Sequence, residues 1–480
     1  MTRKDFVQNS GLLTAGLMIP ALLKANERQP LGAANVSEFP IVRTPLADRK
    51  FTSSAVESLI TRLQASTSNK ELAWLFGNCF PNTLDTTVDF EIRNGKPDTY
   101  VITGDIDAMW LRDSTAQVWP YLSLIKEDEP LRTLVAGVIN RQKANILYDP
   151  YANAFYKERT KQGEWKDDQT EMKPGIHERK WEIDSLCYPV RLSYHYWKIT
   201  GDTTPFDAEW KEAILLILKT FKEQQRKTDK GPYKFERRTS WATDGVPLGG
   251  YGYPAKPVGL IFSMFRPSDD ATIFPFLIPA NFFAVTSLKQ AAEMLNSIHK
   301  DAASANACRA MATEVEQALL KYSTVTHPAY GKVYAYEVNG FGSFNLMDDA
   351  NVPSLLAMPY LGAMKNTDPV YINTRKLLLS DANPFFFKGK AGEGIGGPHV
   401  GVDMIWPISI IVRGLTSNND AEIRNCLKTL QSTHGGTGFM HEAFHKDDDK
   451  KFTRKWFAWA NTIFGEFVLK TYREKKHLLS

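Results

Sequence analysis

The residues best suited to chemistry in this chain lie together in one short loop, residues 103–114. Its sequence, TGDIDAMWLRDS, contains three carboxylates, one guanidinium and one indole. An apolar segment that predicts a buried helix follows at once, so these charges must pair with one another or line a cavity. Carboxylates and arginine bind hydroxyl groups, and an indole can cover the apolar face of a pyranose. The loop therefore indicates a sugar-binding site, with candidates Asp107, Trp110, Arg112 and Asp113.

The same loop also has a simpler, structural interpretation. Arg112 and Asp113 could form a salt bridge, while Asp113 or Ser114 caps the helix that follows. Capping is compatible with sugar binding, but it leaves Asp107 and Trp110 without a purpose. We therefore keep sugar binding as the hypothesis for this loop.

Other charged strings precede apolar segments further along the chain. The string WEID contains Asp184, and the string FRPSDD contains Arg266, Asp269 and Asp270. A glycine-rich string, GEGIGGPH, ends at His399, and no predicted strand precedes it, so a dinucleotide site is not expected there. Carboxylates on different loops are what a glycosidase needs, because one protonates the leaving oxygen and the other activates water or attacks the sugar.

One string near the C-terminus, HEAFH, matches the zinc-binding pattern H-E-x-x-H letter for letter. It contains His441, Glu442 and His445, and Arg454 and Trp456 follow it. A zinc hydrolase needs this pattern within a helix and a third ligand. Three glycines precede the string and a KDDDK run follows it, which indicates a loop. We therefore expect Glu442 to work as a carboxylate across a sugar ring and keep zinc as the alternative.

Composition excludes several classes of function. The chain has 58 basic and 54 acidic residues, a net charge of +4 and no basic stripe, so we expect no nucleic-acid partner. Its four cysteines lie far apart without a CxxC pair, which indicates buried thiols rather than a zinc cluster or disulfides. No string predicts a cofactor. With 480 residues, 43% of them hydrophobic, the chain can form a large core.

The N-terminal segment, residues 1–25, predicts export. Arg3 and Lys4 precede the apolar run GLLTAGLMIPALL, which is too short to span a bilayer and fits a signal peptide, twin-arginine-like with one arginine replaced. We expect cleavage after Ala21 and a periplasmic or cell-envelope location, with an uncleaved anchor as the alternative. Residues 26–50 are polar and contain proline, so they predict a linker before a single catalytic domain, residues 51–480.

The elements that position the charged strings are mostly helical. A helical pair is expected at 53–66 and 70–80, and a β-hairpin around Asn94-Gly95. Segments that are apolar on every side begin near residues 113, 184, 279, 350, 403 and 455. Amphipathic segments alternate with them at 131–147, 207–226, 303–322, 369–379 and 420–432.

Helices that are apolar all round must be buried. Six of them alternating with amphipathic helices predict an all-α fold, an (α/α)6 barrel or toroid with small β-hairpin insertions. The loops that enter the inner helices would then gather at one end and form the site. An ordinary multi-helix domain without ring closure is the alternative architecture.

Several of these strings together resemble glycoside hydrolase family 125. The resemblance covers residues from about 53 to 473 and is carried by GDIDAMWLRDS, WEIDSLCYP, FRPSDDA, IPANFFA, GGPHVG and GFMHEAFHKDD with FTRKWFAWAN. It implies an exo-acting α-1,6-mannosidase on an (α/α)6 barrel that inverts configuration without a metal or cofactor. The implied partner is a mannose-containing oligosaccharide, as in N-glycan degradation, and no protein partner is implied.

The resemblance also implies roles for individual residues. The general base of the family lies in the HE string, here Glu442. Its general acid is an aspartate that we assign to the SDD string and to Asp269, from the distance along the chain to Glu442, with Asp270 and Asp184 as alternatives. Candidates for contacts with the sugar are Asp107, Trp110, Arg112, Asp113, Asp184, Arg266, His399, His441, Arg454 and Trp456.

The expected mechanism requires a raised pKa for Asp269, which burial or the neighbouring Asp270 could supply. Asp269 would protonate the glycosidic oxygen, and Glu442 would take a proton from the attacking water. A pocket closed at one end would admit only a terminal mannose. The alternative functions are another inverting α-glycosidase on the same toroid, a zinc hydrolase and a non-catalytic glycan-binding protein.

Overall fold

Residues 39–480 are described in the computed structural model of the chain. The predicted signal peptide and most of the predicted linker lie outside these described residues. The chain divides into residues Met1–Ile41 and a compact unit, Val42–Ser480. This unit begins before the predicted position 51, because Arg43 is tied to it by salt bridges with Asp85 (2.7 Å) and Glu57 (2.5 Å).

Helices form most of the regular structure of the compact unit. Residues 39–480 contain thirteen α-helices, namely α1 Ser54–Ser66, α2 Lys70–Cys79, α3 Asn82–Thr86, α4 Leu111–Val118, α5 Glu129–Tyr148, α6 Ile183–Thr200, α7 Ala208–Glu223, α8 Ile278–Ser297, α9 Ala302–Tyr322, α10 Pro369–Leu378, α11 Pro407–Leu415, α12 Asp420–Ser432 and α13 Ala458–Glu474. Short 3-10 helices lie at Leu46–Asp48, Trp119–Ser123, Pro398–Val400 and Lys476–Leu479.

The predicted amphipathic segments form α5, α7, α9, α10 and α12. Each begins at a residue whose side chain accepts a backbone N–H of the first turn, and these caps are Asp128, Asp207, Asp301, Asp368 and Asn419. Such caps satisfy donors that have no partner within the helix, which fixes where it starts.

The buried helices close into a ring. Helix α4 packs against α6, α6 against α8, α11 against α13, and α13 against α4. Residues 350–364 lie between α8 and α11 in the chain and supply the remaining inner position. The prediction of a helical (α/α)6 barrel with small β insertions is confirmed, with one inner position that is not helical.

The helix predicted near residue 350 is absent from the described structure, which has turns there. Pro353 and Pro359 each lack a backbone donor and interrupt a helical ladder. The carboxylate of Asp348 accepts the backbone N–H groups of Leu355 (2.8 Å) and Leu356 (3.0 Å) instead. The segment is nevertheless buried, so the prediction of an apolar inner element there is correct and only its conformation is wrong.

The first inner helix also differs from its prediction. Helix α4 begins at Leu111 without a side-chain cap, so neither Asp113 nor Ser114 caps it as the structural interpretation expected. It ends at Val118, and the chain continues as the 3-10 helix Trp119–Ser123 because Pro120 cannot donate to the α-helical ladder. Asp113 therefore lies within the first turn of the helix.

Small antiparallel sheets make up the remaining regular structure. The strands in the described residues are β1 Val88–Arg93, β2 Lys96–Val101, β3 Met109–Trp110, β4 Ala154–Phe155, β5 Ile176–Glu178, β6 Phe276–Leu277, β7 Thr324–His327, β8 Gly331–Tyr334, β9 Glu337–Val338, β10 Phe344–Asn345, β11 Phe386–Lys388, β12 Glu393–Ile395, β13 Met404–Ile405, β14 Ala443–His445 and β15 Asp448–Thr453. The predicted hairpin is confirmed, because β1 pairs with β2 around Asn94 and Gly95, both at positive φ.

Three of these sheets hold the loops that enter the inner ring. Strands β3, β6 and β13 directly precede helices α4, α8 and α11, and each pairs with strands from elsewhere in the chain. The loops with the charged strings are therefore fixed by backbone hydrogen bonds at the same end of the ring.

The core beneath these loops is large and apolar. All four cysteines are buried free thiols, as predicted, and lie at positions 79, 187, 308 and 426. Across residues 39–480, the helices are all too short or too polar to be candidates for crossing a bilayer.

Candidate active site

Arg112, in the first turn of α4, is the centre of a buried cluster of carboxylates. Its Nη1 donates to Glu182 (2.5 Å) and Asp184 (3.1 Å), and its Nη2 donates to Asp269 (3.1 Å). The arginine side chain is only 3% exposed. Although burial lowers the pKa of Arg112, attraction to these carboxylates raises it well above its ordinary value. One guanidinium thus joins the WEID loop to the SDD turn.

Asp269 lies on a tight turn that presents its carboxylate to the site. Its φ is +67°, a conformation that costs energy for a residue with a side chain. Lys180 Nζ donates to its carbonyl oxygen (2.8 Å), and Asn153 Nδ2 donates to its carboxylate (3.2 Å). Its side chain is 21% exposed. The turn therefore holds one carboxylate firmly while leaving part of it open.

The pKa of Asp269 differs from the expectation. Burial raises it, but Arg112 and Lys180 outweigh burial, so the pKa of Asp269 falls below its ordinary range. Glu182 shares the Arg112 guanidinium with Asp269, and burial together with the repulsion of Asp269 raises the pKa of Glu182 well above its ordinary value. The prediction of a raised pKa on Asp269 is wrong for the unliganded protein, because the acid faces two cations while Glu182 is fully enclosed.

Asp270 points away from this cluster. It is only 1% exposed, accepts from Thr243 Oγ1 (2.8 Å) and lies 3.4 Å from His399 Nδ1. Burial lowers the pKa of His399, but negative neighbours outweigh burial and raise the pKa to about 9. The largest rise comes from the hydrogen bond and charge of Asp270, and the charges of Glu442 and Asp269 add to it. The imidazolium of His399 is therefore paired with Asp270, and the charges of Glu442 and Asp269 also act on it.

Glu442 enters the site from the segment before β14. It is 4% exposed, and Arg454 Nη1 donates to it over 3.4 Å. The same guanidinium donates to Asp105 (2.5 Å) and Thr103 (3.3 Å) of the opening loop. Arg454 therefore connects Glu442 to the loop that carries Arg112.

A glycine allows the opening loop to reach this segment. Gly104 has a φ of +126°, and a Cβ at this position would collide with the carbonyl oxygen of Trp456. The backbones pair here, since Asp105 donates its N–H to Trp456 (3.3 Å) and Ala458 donates its N–H to Thr103 (3.0 Å). The loops that precede α4 and α13 are thereby joined at the site end of the ring.

Asp113 lies between the two clusters. The pKa of Asp113 is raised to about 6, mainly because the residue is buried. The charge of Asp269 adds to this rise, and the charges of Arg112 and Arg454 oppose it. Arg112 Nε lies 3.6 Å from its carboxylate, so the salt bridge that the structural interpretation expected is present. Asp113 therefore interacts with the arginine of each cluster, Arg112 and Arg454.

Two residues of the predicted sugar-binding loop lie elsewhere. The side chain of Asp107 is 69% exposed and forms a salt bridge with Lys161 (2.7 Å). Trp110 is buried, with its ring centroid 5.0 Å from that of His177 in an edge-on contact. Both side chains therefore have structural partners of their own.

Two further candidates have buried structural partners. Arg266 Nε donates to Glu337 (2.7 Å), and both side chains are almost fully enclosed. The ring of His441 stacks on Phe452 with centroids 3.6 Å apart. Burial lowers the pKa of His441 to about 4, so this imidazole is neutral at physiological pH.

The HEAFH string is not helical, as predicted. Its last three residues form strand β14, so the two histidines, four positions apart, are separated by roughly 13 Å along an extended chain. On a helix they would share one face. Within residues 39–480, no three His, Cys, Asp or Glu side chains are grouped so as to hold a metal ion.

Two important site residues are missing from the predicted set. Glu182 lies two positions before Asp184 in the WEID string, so its proximity to the site could have been inferred from that string. Asn153 donates to Asp269 and lies 3.5 Å from Glu182, but the string YANAF around it carries no charge pattern. Only its position in space identifies it.

Comparison with known proteins agrees with this site. The family model for metal-independent α-mannosidases (GH125) matches residues 69–469. A protein of Schizosaccharomyces pombe, the meiotically up-regulated gene 157 protein, is 42% identical over 471 residues, which cover 94% of this chain and 92% of that protein.

Solved structures agree with both family and fold. A metal-independent α-mannosidase of Streptococcus pneumoniae, in a non-productive substrate complex with α-1,6-mannobiose, is 40% identical with a TM-score of 0.85 and covers 89% of this chain and 100% of its own. A glucoamylase of Saccharomycopsis fibuligera shares the fold at 12% identity, with a TM-score of 0.50 and coverage of 89% and 98%. This chain belongs to glycoside hydrolase family 125, the metal-independent α-mannosidases.

Proposed function

We propose that this protein releases terminal mannose from α-1,6-linked mannosides as an exo-acting, inverting and metal-independent enzyme. The observation that carries the proposal is that the opening loop contacts both carboxylates' partners, because its Arg112 binds Asp269 and its Asp105 binds Arg454, which donates to Glu442. The two carboxylates come from loops far apart in the sequence, and the charged groups between them can bind hydroxyl groups. The α-1,6 linkage is proposed from the ligand of the Streptococcus pneumoniae enzyme.

Asp269 is the better general acid of the SDD pair. Its carboxylate is 21% exposed toward the site, whereas that of Asp270 is 2% exposed and bound to Thr243 and His399. A general acid must reach the glycosidic oxygen within hydrogen-bond distance. The exposed edge of Asp269 can do so, and the enclosed carboxylate of Asp270 cannot.

Glu442 would act as the general base. It is oriented by Arg454, which also binds Asp105 of the opening loop. In an inverting glycosidase the two carboxyl groups stand roughly 6.5–9.5 Å apart, which leaves room for the attacking water. Water activated by Glu442 would attack the anomeric carbon while Asp269 protonates the leaving oxygen.

Binding of the terminal mannose is assigned to the groups between the acid and the base. Asp113 and His399 interact electrostatically with Asp269, Arg454 contacts Glu442, and the segment of Trp456 pairs with the opening loop. We place the closed inner end of the pocket at the buried Arg112 cluster. A closed end accepts only a terminal sugar, which is the basis for exo action.

We also propose that the enzyme is exported and acts on N-glycans. Export is supported by the charge and apolar run of residues 1–25. The N-glycan substrate is supported by the work on the Streptococcus pneumoniae enzyme, which concerns the processing of N-linked glycans. Cell fractionation with N-terminal sequencing tests export, and a cytoplasmic protein that retains Met1 would contradict it.

One assay tests the proposed activity. The full chain is incubated with α-1,6-, α-1,2- and α-1,3-linked mannobiose, with and without a strong chelator, and free mannose is quantified. We expect mannose from the α-1,6 linkage at the same rate under both conditions. Loss of activity with chelator would favour a zinc hydrolase, and binding without release of mannose would favour a glycan-binding protein.

A further inference from the structure

We propose that Glu182 is a positioning residue that stores the proton which Asp269 delivers to the leaving group. This inference rests on the proposed function, because it takes Asp269 as the general acid. Glu182 is fully buried at the start of α6 and touches no solvent. It therefore acts through Asp269 rather than on the sugar.

The two carboxyl groups are held face to face by shared donors. Arg112 donates to Glu182 through Nη1 (2.5 Å) and to Asp269 through Nη2 (3.1 Å). Asn153 Nδ2 lies 3.2 Å from Asp269 and 3.5 Å from Glu182. Ser185 Oγ donates to Glu182 Oε2 (2.7 Å), the same oxygen that accepts from Arg112. This frame holds the two carboxyl groups beside each other, and a hydrogen bond formed between them would require a proton.

The charge of the cluster also calls for a proton. Four carboxylates lie within 3.6 Å of the Arg112 guanidinium, those of Glu182, Asp184, Asp269 and Asp113. These carboxylates repel one another, which favours a proton on one of them. Glu182 and Asp184 are both fully buried, and it is Glu182 that shares both Arg112 and Asn153 with Asp269.

The surroundings of the pair determine which member holds the proton. Facing cations are Arg112, Lys180 and His399, and facing carboxylates are Asp113, Glu178 and Asp184. His177 and Tyr233 also face the pair and are neutral at pH 7. Arg112 contacts both members, Glu182 at 2.5 Å and Asp269 at 3.1 Å, but Lys180 and His399 also attract Asp269, whereas Glu182 is fully enclosed. The pKa of Asp269 is therefore lowered and that of Glu182 is raised. In the unliganded protein the proton resides on Glu182.

The proton moves in two steps. The Oε–H of Glu182 passes its proton to Asp269, which leaves Glu182 as a carboxylate bound to Arg112. Asp269 then gives this proton to the glycosidic oxygen as the bond from the anomeric carbon to that oxygen breaks, while Glu442 takes one proton from the attacking water. The products are mannose and the shortened glycan. Solvent returns the proton from Glu442 to the pair through the exposed edge of Asp269.

Two roles for Glu182 lead to different expected results. In the first, Glu182 only anchors Arg112, and in the second it stores the proton for Asp269. A structural role affects all substrates alike. A proton store matters only when the leaving group needs a proton, as a sugar alkoxide does and a dinitrophenolate does not. The dependence on the leaving group therefore separates the two roles.

The test is Glu182→Gln, which keeps the shape and can still accept from Arg112 and donate to Asp269. We expect kcat for α-1,6-mannobiose to fall by about 100-fold, as for loss of general acid catalysis, with KM unchanged. The rate on dinitrophenyl α-mannoside should remain close to that of the wild type. An equal loss on both substrates, or no loss, would overturn the proposal.

The pH profile is the second readout. In the wild type the alkaline limb of kcat follows the raised pKa of the pair, whereas in Glu182→Gln only the lowered pKa of Asp269 remains. We expect the alkaline limb to move to lower pH in this variant. Asp98→Asn is the matched control, because it removes a buried carboxylate from an arginine outside the site, Arg141, and touches neither Glu182 nor Asp269. The control should keep the wild-type limb, and an unchanged limb in Glu182→Gln would refute the proton store.

A third readout does not depend on activity. The infrared difference spectrum of the wild type and Glu182→Gln at neutral pH should contain the C=O stretch of a protonated carboxylic acid that only the wild type has. Absence of this band would overturn the proposal even if the enzyme is an α-1,6-mannosidase. Presence of the band together with no mannose release would instead contradict the proposed function and leave the proton on Glu182 supported.

Discussion

Arg112 shows at the residue scale how one side chain sets the chemistry of its neighbours. Its guanidinium lowers the pKa of Asp269 and at the same time holds Glu182, whose enclosure raises its pKa. Two carboxyl groups in contact thus have opposite proton affinities. Sequence reasoning identified Asp269 as the candidate acid and expected its pKa to be raised, whereas the raised pKa belongs to Glu182. The contact between the WEID and SDD strings, which causes this difference, is visible only in three dimensions.

Substitution of the three predicted catalytic carboxylates tests their roles. Asp269→Asn and Glu442→Gln should each lower kcat on α-1,6-mannobiose by roughly 10²–10⁴-fold, because each removes one proton transfer. Asp270→Asn should cost less, since Asp270 acts on the sugar only through His399. Rates are measured together with the midpoint of thermal unfolding, which should be unchanged in Asp269→Asn. Full activity of Asp269→Asn beside an inactive Asp270→Asn would reverse the assignment within the pair.

At the scale of elements, the outer helices were predictable and one inner element was not. The outer helices combine an Asp or Asn cap with an amphipathic period, and the last of them, α12, spans the predicted 420–432. Residues 350–364 have the apolar character of an inner helix, but Pro353 and Pro359 break its ladder. The apolar composition of this segment predicts that it is buried. Its backbone conformation depends instead on where prolines remove backbone N–H donors.

The site could be predicted in part for a similar reason. The strings that begin inner helices converge because the ring gathers those loops, so Arg112 contacts Asp269 and Arg454 contacts both Glu442 and the opening loop. Individual side chains on one loop nevertheless face different ways, so Asp107 pairs with Lys161 while Arg112 turns inward. The topology of the chain determines which loops converge, but it does not determine the direction in which each side chain points.

Gly104→Ala tests whether the pairing of two loops positions the site. A methyl group there meets the carbonyl oxygen of Trp456, so the opening loop must move away from the segment that carries Arg454. A displacement near 1 Å can lower a rate by about 100-fold, and we expect a loss of that order with a lower unfolding temperature.

The matched control for this prediction is Gly95→Ala in the β1–β2 hairpin. Gly95 also has a positive φ of 76°, but no atom lies within 4 Å of a Cβ built there. It should cost about 1–2 kcal/mol of stability through backbone strain alone and leave kcat unchanged. Wild-type kcat in Gly104→Ala would show that the pairing is not needed for catalysis.

At the scale of the whole molecule, polar contacts help to join the inner elements away from the site. Glu466 on α13 accepts from Trp119 Nε1 (3.0 Å) and from Tyr360 (2.8 Å), and so connects α13 to the segment after α4 and to the non-helical inner segment. The pKa of Glu466 is raised to about 7 because the residue is buried. The hydrogen bond from Tyr360 opposes this rise without cancelling it. The charge state of this residue is thus linked to the closure of the ring.

This linkage makes stability depend on pH in a defined direction. The folded protein holds the proton of Glu466 more tightly than the unfolded chain, so its contribution is complete below pH 4.5 and is lost as pH rises to about 7. We expect the wild type to lose about 2 kcal/mol more than Glu466→Gln between about pH 5 and about pH 8, less than the full shift because the residue keeps some contact with water.

Urea unfolding of both proteins at the two pH values measures this difference. Glu474→Gln, which removes an exposed glutamate from the same helix, is the control and should retain the pH dependence of the wild type. An identical pH dependence in the wild type and Glu466→Gln would show that Glu466 does not carry the effect.

The assignment of Asp269 as general acid and Glu442 as general base makes a claim about stereochemistry that can be observed directly. Proton NMR of the full chain turning over α-1,6-mannobiose follows the anomer of mannose that forms first, before mutarotation. We expect β-mannose to appear first, because water activated by Glu442 attacks the face opposite the bond that Asp269 protonates. Initial formation of α-mannose would contradict inversion, and with it the assignment of Glu442 as a base rather than a nucleophile.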